Sequence, residues 1–205
     1  MPSIETLSVF FLASIILALT PGPDNIFVLT QSIIKGYTAG LIITLGLCSG
    51  LVVHTLIVAV GIAAIIKSSS IAFMTLKIVG AGYLLYLAYG MFTTKTQKIT
   101  NKNVHLNSWQ LYKTGVIMNV TNSKVSIFFL AFLPQFINTE LESINSQIVI
   151  LGLVFVIAAL LVFSSVAILA KLVNNLLVKA GNSQQTLNKT AGLVCILLAV
   201  NLVIN

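Results

Sequence analysis

Long apolar runs, broken by short polar stretches, make up nearly all of this chain. Six runs reach or approach the roughly 20 mainly apolar residues that a helix needs to cross a bilayer. They predict helical spans at Ile4–Ile34, Thr38–Ile66, Ile71–Phe92, Thr114–Phe136, Gln147–Ala170 and Thr190–Ile204. The first is long enough to be broken, and the last is short. Because the runs are continuous rather than alternating, transmembrane strands are not expected. The first run lacks a basic flank and a small-residue cleavage site, so it reads as a permanent helix. The expected fold is an all-α membrane protein with a single domain over residues 1–205.

Composition sharpens this reading. The chain is 58% apolar and only 7% charged, with a mean hydropathy of +1.06. A soluble surface needs about 25% charged residues, so the partner expected for most of this surface is the lipid bilayer. The formal charge of +7 comes from eleven lysines against four acids. Those lysines lie between apolar runs rather than on a basic face with interleaved aromatics, so nucleic acid is not an expected partner. Cys48 and Cys195 sit inside apolar runs and read as small buried hydrophobes.

Lysine placement sets orientation. Lys95, Lys98, Lys102 and Lys113 put the loop 93–113 in the cytoplasm, joined there by Lys35, Lys171, Lys179 and Lys189. The other side holds Lys67, Glu5, Glu140 and Glu142, and both termini then face outward. Tyr37, Trp109 and Tyr112 fall beside the cytoplasmic ends, where interfacial aromatics belong. The setting expected is a bacterial inner membrane.

Six spans with both ends on one side allow two inverted three-helix repeats, about residues 1–92 and 114–205. Thr20, Ile26, Phe27 and Leu29 recur 101 residues later as Thr121, Ile127, Phe128 and Leu130. Lys77 and Gly80 recur 112 residues later as Lys189 and Gly192. Inverted-topology repeats are common in secondary transporters, whose substrate sites lie at paired interrupted helices.

Two such interruptions are present. In the first span, Pro21 and Pro23 flank Gly22, followed by Asp24 and Asn25. Two prolines remove two donors and obstruct preceding carbonyls, so the helix must kink or unwind. The plainer reading is a proline kink with Asp24 at the interface; the functional one is a broken helix lining a substrate or proton site. In the fourth span Asn119, Thr121, Asn122, Ser123 and Lys124 crowd a stretch otherwise apolar. Lys124 could snorkel to the interface or stay buried facing the other half. Unwound half-helices offer amides to a carboxylate and carbonyls to a cation, and a zwitterionic amino acid carries both charges. His54, alone in the second span, is either a packing element or a proton relay. Gly46 and Gly50 make a small-xxx-small step suited to close helix packing.

The run from Thr20 to Leu29 resembles the first-helix signature of the LysE/RhtB amino-acid exporters. So do Leu76–Leu87 around Lys77, Gly80, Tyr83 and Tyr86, the Asn119–Lys124 element, and Phe132–Phe136. The resemblance spans nearly the whole chain. It implies export of small amino acids or derivatives in exchange for protons, with no cofactor. Ser123 stands where the family usually has Pro, which implies a milder break in the fourth span. Span five carries no acidic residue, so proton coupling through it is not expected.

These readings converge on a secondary transporter. Asp24 is the leading proton carrier and Lys124 its fixed charge or partner. Asn25, Asn119 and Asn122 are substrate contacts, and Pro21, Gly22, Pro23 and His54 complete the candidate site. A metal or cation exporter is the alternative, disfavoured by scattered Cys and His. A membrane enzyme is a weaker one, because His54 and His105 have no catalytic company. A chain this small has room for a homodimer.

Overall fold

The computed structural model describes residues 2–20, 22–68, 70–93, 106–138 and 143–170, with isolated positions 172, 189, 192, 193, 196, 197, 199 and 200. The Lys77 side chain, Pro21, His105, Cys195 and most of Thr190–Ile204 lie outside the described residues, so nothing further is said of their structure. Among the described residues every regular element is helical.

The first apolar run is two helices, α1 (Ile4–Leu19) and α2 (Pro23–Lys35), meeting at 62°. Ser3 starts α1 by accepting the Thr6 amide at 3.1 Å. Pro23 opens α2 at its first position, where the missing N–H costs nothing. The second run is α3 (Tyr37–Ser68) and the third is α4 (Ser70–Thr93). The fourth is again bent, by 48°, between α5 (Ser108–Val120) and α6 (Ser123–Ile127). The chain beyond α6 continues as a π-helical turn, Phe128–Phe132, and a 3-10 turn, Leu133–Phe136. The fifth run is α7 (Ile144–Ile168).

α5 begins six residues before the start expected from hydropathy. Asn107 and Gln110 form a capping box, each side chain bonding the other's backbone amide at 2.9 Å. Trp109 and Tyr112, expected beside the helix, are therefore within it, with rings stacked 5.6 Å apart and Lys113 over the Trp109 ring.

α3 and α7 are each long and apolar enough to cross a membrane unaided, and the two bent pairs raise that number to as many as four. Both helices are two-faced in the way a lipid-exposed bundle requires. Leu45, Leu56 and Val60 of α3 and Leu153, Ile157 and Leu161 of α7 are exposed, while Ile43, Leu47, Leu51, Ile148 and Leu151 are buried.

α3 packs most extensively on α5. A Cβ on Gly46 would fall on the Tyr112 carbonyl oxygen, and one on Gly50 would lie 2.7 Å from the Asn119 side chain. The small-xxx-small step thus lets α5 lie backbone to backbone on α3. Gly82, by contrast, faces open space. Below the second bend, Phe10, Phe128, Phe129, Phe132, Phe136 and Phe155 form an aromatic core, with neighbouring centroids 4.8–6.4 Å apart.

Two contacts fix the relative direction of the bent pairs. Phe10 near the start of α1 stacks edge-on with Phe136 at the end of the second pair, 5.1 Å away. Lys35 at the end of α2 donates to the Leu106 carbonyl, just before α5, at 2.9 Å. The two pairs run antiparallel, and their bends meet in the middle.

Candidate functional site

A helix that stops leaves carbonyls without amide partners. At the end of α1 the Thr20 amide reaches back to Ile16 and Leu17, and the Thr20 hydroxyl bonds the Ile16 carbonyl at 2.8 Å. Further carbonyls at this end are served by side chains. Asn25 Nδ2 donates to Ala18 O at 2.8 Å and to Thr20 O at 2.9 Å. Lys124 Nζ, from the second break, donates to Thr20 O at 3.1 Å and Leu17 O at 3.3 Å. A cation at a helix C-terminus also meets the negative end of the dipole. A Cβ on Gly22 would stand 3.1 Å from that ammonium, so Lys124 lies against bare backbone.

The second break is built from its other side. Asn122 caps α6, its Oδ1 accepting the Lys124 amide at 3.0 Å. Its Nδ2 donates to Asp24 Oδ2 at 2.8 Å. One side chain therefore ends one helix break and grips the carboxylate of the other. Asp24, at the N-terminal turn of α2, sits where the helix dipole favours negative charge.

The two breaks share one local feature. Thr121 ends α5 as Thr20 ends α1, 101 residues earlier, and its hydroxyl bonds the carbonyl four residues back at the same 2.8 Å.

Asp24, Asn119 and Lys124 line one cavity at the meeting point. Its free volume, about 10 Å³, is that of roughly one water. Asp24 and Asn119 are each 1% exposed and Lys124 8%. Lys124 lines this cavity, and its positive charge acts electrostatically on Asp24. Lys124 is thus buried against the first break rather than drawn to the interface.

His54 stands one step back. Its Nε2 lies 3.1 Å from the Asn119 carbonyl and its ring stacks on Phe129 at 5.6 Å. It does not line the cavity. Ser123 occupies the first position of α6 and accepts from the Tyr83 hydroxyl at 2.9 Å. Asn122 caps the helix there, and the bend is 48°, against 62° at the first break. The Tyr83 contact had no signal in the sequence beyond Tyr83's place in a family-like segment. The use of α1 carbonyls by Lys124 had none either, since backbone atoms leave no trace in residue type.

The chain belongs to the LysE type translocator family, which it matches over residues 15–205. It is 32% identical over 189 residues to a homoserine/homoserine lactone efflux protein of Salmonella typhi, covering 89% of this chain and 88% of that one. It is 33% identical over 157 residues to the uncharacterized membrane protein YrhP of Bacillus subtilis, covering 72% and 74%. A leucine efflux protein of Salmonella choleraesuis is 30% identical over 133 residues, 63% of this chain and 62% of that protein. No solved structure matches the chain. The family and the apolar helices make this a membrane protein of transporter type.

Proposed function

We propose that this protein exports amino acids or close derivatives from the cytoplasm in exchange for protons. The observation that carries the reading is the junction of two helix breaks, with Asn122 on Asp24 and Lys124 on the α1 carbonyls. Interrupted helices paired in this way are where secondary transporters bind substrate. The names of two relatives, efflux proteins for homoserine and for leucine, point the same way.

In this reading the chain is a single domain of six spans in two inverted repeats. The antiparallel bent pairs and the matching Thr20 and Thr121 caps support it. It lies in the bacterial inner membrane with the basic loop 93–113 inside and both termini outside; association as a homodimer is compatible with its size. Asp24 carries the proton, Lys124 is its counter-charge, and Asn119 and Asn122 contact substrate. Asn25, with its amide committed to α1 carbonyls, is a positioning residue. Pro21, Gly22 and Pro23 maintain the break. His54 holds the Asn119 backbone in place.

The cavity has room for one water, not for an amino acid, so this is a closed state. Opening must separate the two breaks, and Lys124 must leave Leu17 O and Thr20 O when it does.

Proteoliposomes holding the purified chain test the reading. An interior more acidic than the bath is expected to drive a labelled amino acid in above its equilibrium level. A protonophore is expected to abolish accumulation and leave downhill flux. If folded protein moves neither homoserine nor any proteinogenic amino acid, the reading fails.

A further inference from the structure

Two buried oxygens at the junction have no hydrogen-bond donor among the described residues: Asp24 Oδ1 and Asn119 Oδ1. Both residues line the same cavity. Their other acceptors are committed, Asp24 Oδ2 to Asn122 and the Asn119 backbone carbonyl to His54. Buried acceptors without donors are rare in folded proteins, and each calls for an explanation. A primary ammonium carries three N–H donors and a charge opposite to that of Asp24.

The rest of the lining decides what else can enter. Leu17, Leu51, Val125, Phe155 and Phe163 are apolar. Among the described residues, Asp24 and Lys124 are the only charged ones lining the cavity, one of each sign. The ammonium and carboxylate of a zwitterion use both. A side chain with a charge of its own would then be desolvated against apolar walls with no partner left.

We propose that this site takes neutral amino acids with apolar side chains. The ammonium binds Asp24 Oδ1 and Asn119 Oδ1, and the carboxylate binds Lys124 after its release from the α1 carbonyls. The side chain packs against Leu51, Phe155 and Phe163. This rests on the amino-acid export reading and narrows it. Because Asn122 holds Oδ2, proton and ammonium compete for the same oxygen of Asp24, so that one must leave before the other binds.

Counterflow of labelled leucine in proteoliposomes, challenged with unlabelled competitors, tests the proposal. Valine and unlabelled leucine are expected to compete well. Lysine, glutamate, N-acetylleucine (no ammonium) and leucinamide (no carboxylate) should each compete at least about tenfold more weakly. Lowering the pH on both sides should raise the apparent KM for leucine. Asn119→Leu, branched in the same way at Cγ but without the oxygen, should raise KM more than it lowers kcat. Lysine or glutamate competing as well as leucine, or a KM indifferent to pH, overturns the proposal while leaving amino-acid export standing. Absence of counterflow for every amino acid tried overturns both.

Discussion

The break in the first span and the break in the fourth share a threonine cap and have opposite chemistry. Each ends a helix at a threonine whose hydroxyl bonds back to the turn before. The first then presents acceptors: the carbonyls of Leu17, Ala18 and Thr20, and the Asp24 carboxylate. The second presents donors, the Lys124 ammonium and the Asn122 amide. Neither break satisfies itself in full, although Asn25 serves Ala18 and Thr20 within the first and Asn122 caps α6 within the second. Each is completed by the other across the bundle, so two costly interruptions become one polar junction sealed by the helices around it.

The largest effect should come from removing the donor. Lys124→Ala strips the ammonium from Leu17 O and Thr20 O and leaves Asp24 buried beside an apolar methyl. Breaking a buried charged contact from one side costs about 3–5 kcal/mol. Low yield, a lower midpoint of thermal unfolding in detergent, and loss of flux in proteoliposomes are expected; full activity would mean that the breaks do not depend on each other.

Asp24→Asn keeps the shape of the acceptor side and removes its charge. Accumulation of amino acid driven by an acid interior should disappear, with thermal stability reduced less than in Lys124→Ala. Gradient-driven accumulation equal to wild type would move the proton to another group, of which His54 is the nearest candidate in the bundle.

Gly50→Ala tests the bed on which the donor side lies. The new methyl would press on the Asn119 side chain from 2.7 Å. Overpacking of this kind costs about 1–3 kcal/mol, read as a lower unfolding midpoint together with a raised KM. Ser123→Pro should do least. The first position of α6 needs no N–H, and Asn122 already has the extended backbone, φ −76° and ψ 104°, that precedes a proline. The loss is the Tyr83 hydrogen bond, worth about 0.5–1.5 kcal/mol. A large loss of flux would make Tyr83 part of the moving machinery.

How legible this was differed from place to place. The first break could be read directly, because proline and glycine act on the backbone through their own covalent structure. Asp24, Asn119, Asn122 and Lys124 stood out because polar groups in an apolar run need partners, and the structure gathers all four. The start of α5 was misplaced because hydropathy ignores capping, although Asn107 and Gln110 carried that signal. That the Asn25 amide serves α1 carbonyls was not legible, because those carbonyls have no residue signature. The π-helical turn at Phe128–Phe132 follows from packing among rings of four separate elements, which no local pattern encodes. The Asn122 cap of α6 accompanies the second break, and an asparagine before a short polar stretch carries that signal in the sequence.

The claim that the two breaks form one unit is tested most directly by a double-mutant cycle on its charged members. Unfolding of wild type, Asp24→Asn, Lys124→Gln and the double variant would be followed in one detergent at one pH. Residues in one charged network show coupling of about 0.5–3 kcal/mol, whereas independent sites add to within about 0.3–0.5 kcal/mol. The double variant is expected to be more stable than the sum of the single losses by at least about 1 kcal/mol, within that coupling range. Losses that simply add would contradict the account.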